Sequence, residues 1–316
     1  MTIPLRLALV GAGAMSRHHA RVIADSARAR LDVVIDPVVE RAEALAATVG
    51  CSVAAGLDAA KKCDAVVVAS STESHVDVAL ELIAEGRPLL IEKPLAADVD
   101  GVKRIVKESE SAGVPIMCGF VERFNPVIST ALSMIESPPI HFVAMRHSPR
   151  TLRTNTSVVH DLLIHDIDLA VRLMNGAERR RVTGTLSAPY DSLVDVSDCI
   201  IHFSTGAVAT LSASRASQRK VRDISISTRD SLMELDLLRA NLTVYRHVHH
   251  EQIANGSTTY RAETSVDIPF VRHTGEPLAL QLEHFIRLAE GAGDADAERA
   301  TLLAPHEIAA QVEEGS

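Results

Sequence analysis

The stretch Asp161-Leu162-Leu163-Ile164-His165-Asp166-Ile167-Asp168 sets a histidine about one helical turn from a carboxylate on either side. At about 100° per residue on a helix, Asp161, His165 and Asp168 fall within roughly 60° of one another. Leu163, Ile167, Ala170 and Met174 gather on the opposite side. A carboxylate one turn away can fix the tautomer and orientation of an imidazole and raise its basicity. The wet face of an ordinary amphipathic helix has the same spacing. Two further stretches carry chemistry. In Glu92-Lys93-Pro94 the proline keeps Lys93 out of helical geometry. Gly11-Ala12-Gly13-Ala14-Met15-Ser16 is a glycine-rich turn.

These residues need elements to position them. Leu5–Val10 is a short apolar run that ends in the glycine turn, and a helical pattern follows through His19, Ala20, Val22 and Ile23. In this strand–turn–helix context Gly11 permits the tight turn and Gly13 lets the backbone approach a pyrophosphate. The phosphates would sit on the helix N-terminus, at Ala14 and Met15. Ser16 stands where the motif has its third glycine; a small residue is what that position needs for close packing. Leu31–Ile35 reads as a second strand ending in Asp36, 23 residues after Gly13. An acid there accepts hydrogen bonds from ribose hydroxyls and repels a 2′-phosphate, which favours NAD over NADP. Asp36 is also an ordinary turn residue before Pro37, and Arg41 nearby could partly offset the discrimination.

The alternation continues with a strand at 65–69, a helix at 73–84, a strand at 88–91, a helix capped by Asp98 and running to Ala112, and a strand at 114–118. Repeated βα units predict a doubly wound parallel sheet, with ligands beyond the carboxyl ends of its strands. Ser70, Ser71, Thr72, His75, Glu92 and Lys93 all follow strand ends, so they are expected to face the cofactor.

Beyond Phe124 the texture changes. A helix around 127–136 precedes a strand at 140–145, the Asp161 helix, and strand-like runs at 181–188, 196–203, 207–214, 224–228, 232–237 and 242–248. Ser204-Thr205-Gly206 reads as a hairpin turn. The pattern predicts an α/β protein with two domains. Residues 1–124 form a dinucleotide-binding domain. Residues 125–316 form an α+β substrate-binding and oligomerisation domain with an open, mostly antiparallel sheet. A helical tail from 278 to 316 is free to pack back on the first domain. Ile200, Leu211, Ile226 and Leu235 are expected to share the open face of the sheet and to be buried against a second subunit, which predicts a homo-oligomer.

Composition excludes other classes. A net charge of −9, no basic block and no tryptophan argue against a nucleic-acid partner. No apolar run reaches membrane-spanning length. Cys51, Cys63, Cys118 and Cys199 are scattered without metal-ligand spacing, so reduced thiols and no metal site are expected. The start Met1-Thr2-Ile3-Pro4 carries no export signal, which predicts a cytoplasmic protein.

Taken together, GAGAMSRHHA at 11–20, SSTESH at 70–75, Glu92-Lys93-Pro94, GFVERFNP at 119–126, DLLIHDIDL at 161–169 and Glu283-His284-Phe285 resemble the Gfo/Idh/MocA oxidoreductases over essentially the whole chain. The resemblance implies hydride transfer between a secondary alcohol of a polyol, sugar or nucleotide sugar and a nicotinamide cofactor. It places the catalytic lysine on Lys93 and the catalytic aspartate and histidine on Asp161 and His165. On that basis His165 is expected as general base, with Asp161 orienting it and Lys93 stabilising the reacting oxygen. Arg123, Asn125, Arg153 and Asp161 are expected at the substrate.

Within the family, GFVERFNP with HDLLIHDIDL is most similar to nucleotide-sugar 3-dehydrogenases of the UDP-N-acetylglucosamine type. Arg146, Arg150 and Arg153 would suit a diphosphate, and an exposed basic loop would look the same. A polyol or free-sugar dehydrogenase, a redox-assisted elimination, and a non-catalytic dinucleotide-binding regulator are the alternatives.

Overall fold

A computed structural model describes residues 3–151, 156–174, 176–254 and 257–315. The chain divides into two compact units: residues 1–124 with 275–310, and residues 125–274 with 311–316.

The first unit is a six-stranded, all-parallel sheet in the order β3-β2-β1-β4-β5-β6. The strands are β1 (Leu5–Val10), β2 (Ala29–Ile35), β3 (Ser52–Ala54), β4 (Ala65–Val68), β5 (Leu89–Ile91) and β6 (Ile116–Cys118). Helices α1 (Ala14–Ala24), α2 (Val39–Val49), α3 (His75–Ala84) and α4 (Val99–Ala112) connect them. The apolar runs are continuous because strands covered on both faces have no wet side. Val66, Val67 and Val68 have no exposed surface, and each such burial is worth about 1.5–3 kcal/mol. Asp98 caps α4 through the Gly101 amide at 2.7 Å, as the sequence predicts. The expected helix at 73–84 begins instead as a 3₁₀ turn at Thr72–Ser74.

Residues 275–310, which the sequence reading grouped with the second domain, contribute a late helix at Pro277–Ala289 to this first unit. Its Leu282, Phe285, Ile286 and Leu288 join Leu7, Leu9, Ala20 and Ile23 in one core.

The second unit begins with α5 (Pro126–Ser133) and carries an eight-stranded sheet. Its strands are β7 (His141–Pro149), β8 (Arg179–Ser187), β9 (Val196–Phe203), β10 (Val208–Ser214), β11 (Ala216–Ser227), β12 (Leu232–Asp236), β13 (Asn241–Ala254) and β14 (Ser257–Asp267), in the order β14-β13-β12-β11-β7-β10-β9-β8. All pairs are antiparallel except β7 with β10. The β9–β10 hairpin turns at Gly206, whose φ is +88°. β14 and the outer half of β13 carry no strong apolar alternation and go unread in the sequence.

The register corrects one expectation. Cross-strand partners Cys199, Leu211, Ala144, Ile224, Leu235 and Leu242 form a single buried row, as do Ile201, Ala209, Phe142, Ile226, Met233 and Val244. Leu211, Ile226 and Leu235 therefore lie within the unit's own core and not on its open face. Ile200 belongs to the opposite face with Val143 and Met145, and is 39% exposed. Side chains alternate strictly along a strand, and without knowing which strands pair, the phase of each run cannot be set.

Among the described residues no helix is long and apolar enough to cross a membrane, and no disulfide joins the four cysteines. Burial pushes the Cys199 thiol up to about 12.

Candidate active site

In the first unit the glycine turn is built as the motif requires. Gly11 has a φ of +102°, and a Cβ there would lie 2.5 Å from the Ala69 carbonyl oxygen, so only glycine is accommodated. Gly13 caps α1, and a Cβ built on it would meet nothing within 4 Å, leaving open space before the helix N-terminus. The amides of a first helical turn lack intrahelical partners and point outward there, which is where a pyrophosphate fits. Ser16 strengthens the turn: its hydroxyl accepts from the Gly13 amide at 3.1 Å and donates to the Ala69 carbonyl at 3.2 Å. Asp36 ends β2 with its carboxylate accepting from the amides of Ala12 and Val38, both at 2.8 Å. It thus ties the glycine turn to the β2 end while each oxygen keeps lone-pair capacity for a ribose hydroxyl.

Glu92-Lys93-Pro94 follows β5 and is fixed from several sides. His19 on α1 donates through Nε2 to Glu92 Oε1 at 2.7 Å, and both residues are buried. The other Glu92 oxygen accepts from the Lys93 amide at 3.2 Å. Burial pushes the Glu92 carboxyl up, but the His19 hydrogen bond and charge, together with Lys93, hold it below the usual carboxylate range. The Lys93–Pro94 peptide bond is cis. His75 packs its ring nitrogens against the carbonyls of Pro94 at 3.0 Å and Ser70 at 3.3 Å, and burial depresses its pKa. His306 accepts through Nε2 from the Leu95 amide at 2.9 Å. Ser70, at the mouth of β4, shares a hydroxyl contact with Ser74 at 2.7 Å.

Arg123 departs from expectation. Its side chain is 2% exposed, donates to Glu298 at 2.7 Å and lies over the Phe120 ring at 4.9 Å. That is a packing role inside the first unit and not the substrate contact expected.

In the second unit, Asn125 caps α5 by accepting from the Val127 amide at 3.1 Å. The helix that carries His165 opens with a π-turn at Val159–Leu163 and becomes regular α6 at Ile164–Leu173. A π-turn closes i→i+5 hydrogen bonds, so each residue there advances less than in an α-helix, and residues four apart such as Asp161 and His165 still share a face. The polar stripe is not a wet face. His165, Asp166 and Asp168 are all buried. Asp161 keeps 36% of its side chain exposed and accepts from Arg215 Nη2 at 2.9 Å.

The basic segment also reads differently in three dimensions. Arg146, on the helix-covered face of β7, makes a bidentate pair with Asp166 at 2.9 and 2.7 Å, with both residues almost wholly buried. Arg150 is bonded to Asp191, lies 3.0 Å from Asp195 and sits over the Tyr190 ring. Two of the three arginines expected at a diphosphate are thus held by carboxylates, and Arg153 lies outside the described residues.

Residues 5–120 match the family model described as "Oxidoreductase family, NAD-binding Rossmann fold", and residues 139–230 match the "GFO/IDH/MocA C-terminal domain". The chain belongs to the Gfo/Idh/MocA family. It is an oxidoreductase with an NAD-binding Rossmann domain. Among curated members it is 29% identical over 245 residues to the UDP-N-acetylglucosamine 3-dehydrogenase of Acidithiobacillus ferrooxidans, covering 77% of each chain. It is 29% identical over 228 residues to the inositol 2-dehydrogenase of Rhizobium meliloti, covering 67% of this chain and 69% of that one. A solved structure of the Acidithiobacillus enzyme superposes with a TM-score of 0.84 at 27% identity, covering 99% of both chains.

Sequence reasoning did not single out Arg215 and Asp195. They stand side by side where β10 and β9 begin to part, with the Arg215 amide bonded to the Asp195 carbonyl at 2.8 Å. No motif marks them, because Asp161, the partner of Arg215, lies 54 residues away in the chain.

Proposed function

We propose that the protein oxidises a secondary alcohol of a nucleotide sugar of the UDP-N-acetylglucosamine type, with NAD preferred over NADP. The whole-length likeness to the UDP-N-acetylglucosamine 3-dehydrogenase carries this reading, alongside the intact Lys93, Asp161 and His165. Bound NAD supplies a hydride acceptor at the nicotinamide. Gly11, Gly13, the first turn at Ala14 and Met15, Asp36, Ser70, Ser71 and Thr72 would hold it, with His75 and Glu92 fixing the loops around it. His165 takes the hydroxyl proton, the work of an imidazole near neutral pH. Lys93 donates to the reacting oxygen and stabilises its developing charge. Asp161 orients the substrate and the imidazole. Asn125 and Arg153 are assigned to substrate positioning.

A second reading, a cyclic polyol as substrate, is favoured by one observation: Arg146 and Arg150 are neutralised by Asp166, Asp191 and Asp195 and are not presented to a diphosphate. Absorbance at 340 nm with NAD separates the two. NADH formed with UDP-N-acetylglucosamine alone supports the first reading, and NADH formed with myo-inositol or glucose supports the second. Bound NAD with no NADH across that panel points to redox-assisted elimination. We also propose self-association through the open face bearing Met145 and Ile200, which sedimentation velocity tests.

A further inference from the structure

We infer that Arg215, braced by Asp195, is the positioning residue that sets the orientation of Asp161, an inference that rests on the catalytic reading of Asp161 above. Arg215 is 3% exposed. One of its guanidinium nitrogens, Nη2, donates both to Asp161 Oδ2 at 2.9 Å and to the Thr156 carbonyl at 2.7 Å. The other, Nη1, faces Asp195 Oδ1 at 3.5 Å, and the second Asp195 oxygen lies 3.0 Å from Arg150 Nε. Asp195 has no exposed surface, so its charge is balanced by these two guanidinium groups.

The arrangement matters because of where Asp161 sits. It belongs to the π-turn and not to the regular helix that fixes His165. The π-turn fixes where its side chain leaves the backbone, and Arg215 meets the carboxylate at 2.9 Å. A planar guanidinium anchored on a buried carboxylate supplies a rigid fork from the protein side, while about a third of the Asp161 side chain stays exposed toward solvent. Asp195 holds Arg215, Arg215 holds Asp161, and Asp161 acts on the substrate. A lysine at 215 would keep the charge and lose the planar fork.

A double-mutant cycle tests this, using R215M, R215K, D161N and R215M/D161N with NAD and whichever panel sugar the wild type oxidises. R215M is expected to lower kcat about 10- to 100-fold, the size of one hydrogen bond to a charged group, with NAD affinity unchanged. R215K recovers part of that loss. In the D161N background R215M costs less than about twofold, because the group it positions is already gone. Losses that multiply in the double variant, or wild-type kcat in R215M, would overturn the inference. Wild-type kcat in D161N would instead overturn the reading of Asp161. A crystal structure of R215K, which keeps the buried charge if R215M does not fold, is expected to show Asp161 turned from its present direction. An unmoved Asp161 counts against the inference.

Discussion

His19 Nε2 lies 2.7 Å from Glu92 Oε1, with both side chains withdrawn from solvent. The same carboxylate accepts from the Lys93 amide. One buried group therefore joins the helix of the glycine turn to the backbone of the proposed catalytic lysine. Replacing His19 by Ala or Glu92 by Gln is expected to lower kcat about 10- to 100-fold, the size of one hydrogen bond to a charged group. Steady-state kinetics beside NAD titration check it. A change in NAD affinity alone would mean that the pair serves the glycine turn and not Lys93.

His165→Ala is expected to reduce turnover by roughly 10²–10⁴-fold with NAD binding intact. Lys93→Ala should be similarly damaging. A raised KM with unchanged kcat would demote Lys93 to a binding residue.

The Arg146–Asp166 pair predicts an asymmetric stability result. Removing one partner, as in Asp166→Asn, leaves a buried guanidinium without its counter-charge and should cost about 3–5 kcal/mol. Replacing both, as Arg146→Met with Asp166→Leu, should cost much less, because two desolvated charges disappear together. Urea unfolding curves for wild type and the two variants decide it.

His75 gives a pH prediction. Burial depresses its pKa in the fold, while the unfolded chain binds a proton near the ordinary value of about 6.5. Unfolding therefore takes up a proton below that value. The stability His75 contributes is complete above about pH 6.5 and is lost as pH falls through its lower folded value. The thermal midpoint of wild type should drop between pH 7 and 5, and His75→Gln should show a flatter curve. Parallel curves would assign the acid sensitivity to other groups.

Asp36→Ser should admit NADP by removing the charge that repels a 2′-phosphate. It should also loosen the glycine turn, since the Ala12 and Val38 amides lose their acceptor. Initial rates with both cofactors test the first effect, and NADP use that stays undetectable would move discrimination to another group.

Much of the first unit was legible because continuous apolar runs, glycine spacing and the Asp98 cap are local signals. The tight turn at Gly11 and the open space at Gly13 follow from their neighbours alone. What escaped depends on distant partners. The carboxylates that hold Arg146 and Arg150 come from 20 to 45 residues away, so a basic segment looked exposed. The phase of Leu211, Ile226 and Leu235 needed the pairing order. The π-turn leaves no mark in apolar spacing, so the change of helix type within the Asp161 segment is not legible.

A π-turn is what an α-helix becomes when it takes in one surplus residue. The turn at Val159–Leu163 contains Asp161 and runs straight into the regular turns that carry His165. A single-codon loss or gain there would swing the aspartate around the helix axis while Ile164, Ile167 and Ala170 kept their places in the core. The orienting group can thus be re-aimed by evolution, or by design, without repacking the scaffold that holds the proposed base.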